Sequence, residues 1–162
     1  MDKQLEKALQ DQIKNEWYSA YLYLSMAAWC QGKNLEGFAH WMNTQAGEEQ
    51  VHGRKIFDFL LDRGVKVILQ PIPQPPADFQ SPLDVFEKSL EHEKKVTGLI
   101  HAIADMAEKV NDHPTKVFIQ WFVTEQVEEE KNASHYVEIL RQIPEGSSGI
   151  FQVDHRLSKR GE

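Results

Sequence analysis

GVKVILQPIPQPPADFQS, residues 64–81, decides the fold. Pro71, Pro73, Pro75 and Pro76 deny this stretch a helix and favour an extended course, whereas the chain on either side of it reads as helix. Upstream, a helical pattern runs from about Asp2 to Gln31 and stops at Gly32; Asn34 caps a second that runs to Arg63 and stops at Gly64. Downstream, Ser81 as cap, Pro82 at the first helical position and Asp84 in the first turn open a third helix to about Val110, and Pro114 opens a fourth to about Gln142. After Pro144, Glu145 and Gly146, the residues from Ser148 to Leu157 read as a short amphipathic fifth helix. A helix of about thirty residues is roughly 45 Å long at about 1.5 Å per residue, while eighteen extended residues reach about 59 Å at about 3.3 Å each. The proline-rich segment is therefore long enough to travel the whole bundle. Short turns make antiparallel hairpins of helices 1 and 2 and of helices 3 and 4, and one long crossover between helices 2 and 3 joins them. The expected architecture is all-α: a four-helix bundle over about 2–142 with that crossover and a short C-terminal fifth helix at about 148–157, as one domain spanning 1–162.

Bulk properties narrow the partners. A chain of 162 residues can bury a substantial single core. With 25 acidic against 18 basic side chains the formal charge is -7, which argues against nucleic acid and against an anionic membrane surface, and favours cations. Met1 to Gln10 alternates charged and apolar residues and lacks the apolar core of a signal peptide, and the most apolar stretch, Tyr21 to Cys30, is too short to span a bilayer. A cytoplasmic protein is expected. Cys30 is the single cysteine, which excludes an intrachain disulfide, a CxxC metal site and cysteine-based iron–sulfur ligation within one subunit, and reads as a small buried thiol.

Each long helix carries an apolar stripe interrupted at mid-length by polar groups. The first gives Leu9, Ile13, Glu16, Ala20, Tyr23, Ala27; the second Phe38, Met42, Gln45, Glu49, His52, Ile56, Phe59. The third gives Phe86, Leu90, Glu93, Thr97, Ile100, Ala104; the fourth Ile119, Phe122, Gln126, Glu129, Ala133, Tyr136, Leu140. Glu16 precedes Glu49 by 33 residues, with His52 three further on; Glu93 precedes Gln126 by 33, with Glu129 three further on. Because all of these lie near mid-helix, they meet at one level whichever way each helix runs.

Buried carboxylates and imidazole are costly unless compensated, and facing helices that each supply one share a common solution, a pair of metal ions. Residues three apart lie on one helix face, so Glu49 can bridge two metals while His52 binds one of them; Glu16 and Glu93 are then the outer carboxylates. With Glu129 the set holds four carboxylates and one imidazole, hard and oxygen-rich, suited to iron or manganese rather than copper or structural zinc. Four carboxylates balance two divalent cations in formal charge. Taken singly, each residue reads more readily as a half-exposed helix position or a satisfied core histidine; the matched depth and the repeated interval make the joint set persuasive.

The chain also resembles a known family, the non-haem ferritins of bacteria and archaea, over nearly its whole length. The motifs are NEWYSAYLYL from Asn15, GEEQVH from Gly47, EHE from Glu91 and FIQWFVTEQVEEE from Phe118. The resemblance implies a ferritin-like fold and a ferroxidase that oxidises Fe(II) to Fe(III) with dioxygen or hydrogen peroxide and deposits ferric mineral in a hollow shell of twenty-four chains. It implies a first iron position at Glu16, Glu49 and His52, and a second at Glu49, Glu93 and Glu129 with Gln126 beside it. A third, looser iron position at Glu48, Glu125 and Glu128 on the cavity side follows from the same resemblance. Independently, each of these three is displaced by one residue from an inward position, although a solvated acidic face reads as well. Tyr23, two turns from Glu16 on the same stripe, resembles the family's tyrosine beside the centre, a donor of an electron or a hydrogen bond. Trp121 resembles a tryptophan near the site and reads more simply as a packed aromatic. His40, His92, His101, His113, His135 and His155 fall outside the set; His92 points about 100° away from Glu93 on an ideal helix.

Departures from related families sharpen the expectation. Gln126 and Glu129 stand where a second E-x-x-H would mark a bacterioferritin or a symmetric diiron oxygenase, and no haem is expected. One cysteine cannot build the rubredoxin-like module usual in rubrerythrins. The mini-ferritins that protect DNA build their site between subunits and do not need ligands from all four helices. A peroxide-reducing diiron protein that stores nothing, rubrerythrin-like in its chemistry, remains the alternative, and a metal-free interaction bundle is a third class.

Overall fold

The computed structural model describes residues 1–144 and 146–161, and five helices follow one another in it. They are α1 (Lys3–Gly32), α2 (Glu36–Asp62), α3 (Pro82–Lys109), α4 (His113–Arg141) and α5 (Gly149–Leu157). There is no strand among the described residues, and 65–80 form no helix. Glu145, in the expected connection before α5, and Glu162, the last residue of the expected domain, lie outside the described residues. Among the described residues no helix is long and apolar enough to cross a membrane.

Side-chain caps set three of the helix starts. The Asp2 carboxylate accepts from the Gln4 and Leu5 N–H groups, and Ser81 Oγ accepts from Asp84 N at 3.1 Å while the Asp84 carboxylate accepts from Gln80 N at 2.9 Å. Asp112 caps α4 through Thr115 N, so that helix begins at His113, one residue before the expected Pro114. Asn34, expected to cap α2, does not. Gly32 stays helical, and Asn34 takes φ +57°, a left-handed turn that asparagine tolerates, so it ends α1 instead. Leu35 is left at the start of α2 with no side-chain oxygen to offer.

The missing cap comes from the other end of the chain. Asp154 Oδ1, in α5, accepts from Phe38 N at 3.0 Å. Beside it, Gly37 lets the α5 backbone in: a Cβ there would lie 1.7 Å from the Asp154 carbonyl oxygen. Val153 and Leu157 complete the docking by joining the apolar core.

The crossover runs along α1. Gln10 Oε1 accepts from Ile68 N at 2.9 Å, Asp11 from the Gln70 amide at 2.7 Å, and Ser25 donates to the Pro76 carbonyl at 2.6 Å. Phe79 then packs edge-on to Trp29, ring centroids 5.9 Å apart. These contacts progress from the start of α1 to its end, so α3 begins where α1 finishes and runs antiparallel to it. At the opposite end Arg63 forks onto both Asp112 oxygens, at 2.8 and 3.0 Å, tying the end of α2 to the start of α4. That guanidinium holds the Asp112 carboxyl well below the usual carboxylate range.

Two apolar clusters fill the bundle. One gathers Leu22, Met26, Phe38, Met42, Phe86, Val137 and Leu140 with α5; the other gathers Leu5, Leu9, Ile13, Ile56, Ile100, Ile119 and Phe122. Between them lies a layer of buried polar groups. The expected stripes shift a little at the margins: Phe59, Leu90, Thr97, Ala104 and Tyr136 are half-buried, while Leu60, Ser89, Val96, Ile103 and Val137 are buried. A helix turning 3.6 residues at a time drifts across any fixed pattern of threes and fours. Cys30 is buried as expected, and burial pushes its thiol up to about 12.

The contact between Gly37 and α5 gives a stability test. Gly37→Ala must push α5 away from α2 and is expected to cost about 1–3 kcal/mol. Gly47→Ala, on the same helix, adds a methyl group that meets nothing within 4 Å and is expected to gain up to about 1 kcal/mol from helix propensity. Urea unfolding of both variants checks the pair; equal midpoints would contradict the close approach.

Candidate metal centre

The polar layer takes residues from all four long helices. α1 supplies Gln12, Glu16 and Ser19, α2 supplies Gln45, Glu49 and His52, α3 supplies Ser89 and Glu93, and α4 supplies Gln126 and Glu129; all are buried. Tyr23 lies just above, also fully buried. The ligand atoms of Glu16, Glu49 and His52 come within 4.8 Å of one another. His52 Nδ1 is 3.4 Å from Glu49 Oε2 and 3.9 Å from Glu16 Oε2. A second such group, also within 4.8 Å, combines His52 with Glu125 and Glu129.

Every carboxylate in the layer has a donor. Gln12 donates to Glu16 at 2.7 Å, and Gln45 donates to Glu49 at 3.0 Å and to Glu129 at 2.8 Å. Glu93 accepts from the Tyr23 hydroxyl and from the Gln126 amide, the latter at 3.2 Å. The same amide reaches the Glu93 carbonyl at 3.2 Å and Thr97 Oγ1 at 3.3 Å. Among the described residues no buried side-chain nitrogen or oxygen lacks a partner. Satisfied polar groups of this kind hold the carboxylates in fixed directions.

Hydrogen bonds do not remove the charge problem. Burial, and next the neighbouring Glu49 charge, push Glu16 well above the usual carboxylate range. Burial and then Glu93 and Glu129 do the same to Glu49. Glu93 is raised chiefly by burial, and Glu129 is raised to about 7 by burial and by Glu93. Tyr23 is pushed up by burial and by the Glu93 charge, so its hydroxyl keeps its proton and donates. Burial and proximity thus favour the protonated form of these acids, and a cation entering among them would compete with those protons. The donors are one imidazole and hard carboxylate oxygens, which fits iron or manganese.

The remaining expected residues are more scattered. Glu48 is half-buried and its Oε2 lies 2.5 Å from Arg160 Nη2. Glu125 is half-buried and joins His52 and Glu129, while Glu128 is exposed and belongs to neither group of ligand atoms. Trp121 packs edge-on to His52 with centroids 5.3 Å apart, and Lys55 Nζ stands 4.1 Å over its ring. His92, set aside on the helical wheel, meets the layer from the side: its Nε2 is 2.7 Å from Ser19 Oγ and its ring lies edge-on to Tyr23 at 6.4 Å. Ser19 already donates to the Asn15 carbonyl, so it accepts from the imidazole. Burial, and then Lys95, lower His92 to about 4, which keeps it neutral.

Two orienting residues outside the expected set do leave a signal in the sequence. Gln12 precedes Glu16 by four residues and Gln45 precedes Glu49 by four, and the two glutamines are themselves 33 apart. One helical turn puts each amide over its carboxylate. Ser89 and Arg160 leave no such signal.

Comparison with known proteins agrees with this geometry. The ferritin-like domain family matches residues 6–143. A bacterial non-heme ferritin of Staphylococcus saprophyticus is 38% identical over 160 residues, covering 99% of this chain and 96% of the relative. Another from Staphylococcus aureus is 35% identical over the same shares. Among solved structures, an open pore ferritin from the hyperthermophilic archaeon Archaeoglobus fulgidus superimposes with TM-score 0.97 at 44% identity, covering 99% of both chains. An engineered closed form of that ferritin gives TM-score 0.96 at 44% identity, over 99% of this chain and 98% of the other.

The raised carboxyls set a pH dependence. Each holds its proton more tightly in the folded chain than in the unfolded one, so the metal-free protein loses stability as pH rises from about 4.3, the ordinary glutamate value, through the folded value, about 7 for Glu129. Asp112, shifted the other way, loses its contribution only below the ordinary carboxylate range, outside this window; His92, lowered to about 4, opposes the carboxyls as pH rises to the ordinary histidine value, one group against four raised acids. Metal-free protein is therefore expected to melt higher near pH 5 than near pH 7.5, and Mn(II) to raise the melting temperature more at the higher pH. A flat metal-free profile would refute the account.

Proposed function

The chain belongs to the ferritin family, and from that premise we propose that it stores iron as a ferroxidase, with the buried layer as its oxidation site. One observation carries the assignment of the site: Glu49 shares a cluster of ligand atoms with Glu16 and His52, and its charge also interacts with those of Glu93 and Glu129. A carboxylate so placed suits a bridge between two metal ions.

Iron is the substrate. Glu16, Glu49 and His52 form the first position; Glu49, Glu93 and Glu129 form the second. Gln126 and Tyr23 hold Glu93 in direction, and Gln45 holds Glu49 and Glu129. Two ferrous ions supply two electrons, which with two protons take dioxygen to hydrogen peroxide, or hydrogen peroxide to two waters. Protons displaced from the raised carboxyls as iron enters are available for that reduction. Ferric product leaves by way of Glu48, Glu125 and Glu128, a more exposed set that carries a third iron. Haem has no part in this scheme.

Storage requires a shell. Family membership supports a homo-oligomer, and the reading extends to twenty-four copies enclosing the mineral, in the cytoplasm. Tyr21, Leu24 and Ile72 are exposed and line one groove with Trp17 and Ala20 where the crossover meets α1, an apolar face suited to a second subunit.

Aerobic Fe(II) loading of metal-stripped protein, followed by size separation and iron quantification, checks this. Retention of tens of ferric ions or more per chain in a large particle is expected, with oxidation slowed about a hundredfold or more in the Glu49→Ala, His52→Ala double variant. Saturation at two or three ions per chain in a small species would indicate a non-storing diiron peroxidase instead.

A further inference from the structure

Arg160 lies three residues beyond the end of α5, remote in sequence from every ligand, yet its guanidinium is one side chain away from the metal centre. Its Nη2 donates to Gln45 Oε1 at 2.8 Å and to Glu48 Oε2 at 2.5 Å, and its Nη1 donates to the Trp41 carbonyl at 3.3 Å. The guanidinium carbon sits 4.2 Å over the Trp41 ring, and His40 Nε2 donates to the Arg160 carbonyl at 2.9 Å. These contacts extend the docking of α5 on α2 that begins with the Asp154 cap and the Gly37 approach. The hydrogen-bonded turn that follows a packed helix delivers the guanidinium.

Gln45 is fully buried, and the face of its amide opposite Arg160 addresses two carboxylates from different helices, Glu49 on α2 and Glu129 on α4. A guanidinium only donates, so it takes the amide oxygen, and a carboxyl keeps an acceptor oxygen for the amide nitrogen whether or not it holds a proton. The amide therefore has one orientation that satisfies all three neighbours: oxygen toward Arg160, nitrogen toward the two glutamates. Glu49 lies one helical turn from Gln45 and would stay near it in any case. Glu129 does not share that advantage, and its distance from Glu49 depends on the amide being held. Without Arg160, the buried amide oxygen loses this charged donor, and turning or withdrawing the amide becomes less costly.

We propose that Arg160 is a positioning residue for the metal centre: acting through the Gln45 amide, it fixes the carboxylates of Glu49 and Glu129 relative to each other. The inference rests on the reading of the buried layer as a metal centre. It makes metal affinity depend on the docking of the C-terminal segment, which touches none of Glu16, Glu49, His52, Glu93 and Glu129 directly and pairs only with Glu48 of the looser third position. Second-layer hydrogen bonds to ligating groups typically change metal affinity about 10–100-fold.

Co(II) titration of the metal-stripped full chain, followed by its visible absorption, tests this with a probe whose spectrum reports ligand geometry. Arg160→Met keeps the aliphatic stem over Trp41 and removes the donors; it is expected to weaken Co(II) binding about tenfold and to change the absorption envelope. Arg160→Lys is expected to recover part of the loss. In a Gln45→Leu background Arg160→Met should change nothing further. Unaltered binding in Arg160→Met, or a loss of the same size with and without Gln45, would overturn the relay. Should Arg160→Met fail to fold, Arg160→Lys alone and in the Gln45→Leu background decides by the same comparison. Glu49→Ala separates the two levels: if it binds Co(II) as well as the unaltered protein, the metal-centre reading itself falls; if it abolishes binding while Arg160→Met does not affect it, only this inference falls.

Discussion

Burial of four neighbouring glutamates is the constraint that organises this protein. Glu16, Glu49, Glu93 and Glu129 sit at one level of a helical bundle, where loss of water and their own proximity raise all four, Glu16 and Glu49 well above the ordinary carboxylate range. Folding must tolerate that layer before any cation arrives. It does so with neutral donors: the Gln12, Gln45 and Gln126 amides and the Tyr23 hydroxyl, each aimed at a carboxylate oxygen. The arrangement satisfies hydrogen bonds while leaving negative charge, or the protons that cancel it, for incoming metal ions to exchange.

The apolar parts of the bundle serve the same layer from above and below. One cluster closes it on the side where α5 docks, the other on the side where Arg63 grips Asp112. Because the layer lies between two packed ends, small movements at either end are limited by close packing rather than by the polar contacts themselves. The crossover contributes by running along α1 from Gln10 to Trp29 and making α3 antiparallel to it, which brings Glu93 within reach of Tyr23. A short connection after α2 would have reversed α3 along the bundle.

The C-terminal segment has a larger part than its length implies. Asp154 provides the cap that α2 lacks locally, and Arg160 reaches the amide that links two glutamates. Both contacts act on α2, the helix that supplies Glu49 and His52. Membership of the ferritin family agrees with the bundle, with its donor set and with iron as the ion handled.

The sequence by itself determined the helices, the crossover and the depth of the buried polar layer. These are local properties: proline denies helix over 71–76, apolar periodicity fixes the inward face, and mid-helix placement survives whichever way a helix runs. Helix ends were less legible, as Asn34 illustrates, because a left-handed turn and a cap favour the same residue type. Tertiary structure alone decided the contacts that reach the polar layer and α2 from distant parts of the chain. Gln12 and Gln45 left a trace in the repeated four-residue offset, whereas the Ser19 to His92 contact, the Asp154 cap and the Arg160 to Gln45 bond left none. The reason is physical: a helical wheel relates residues within a turn or two, while contacts between chain positions 73, 116 and 115 residues apart depend on how whole helices pack.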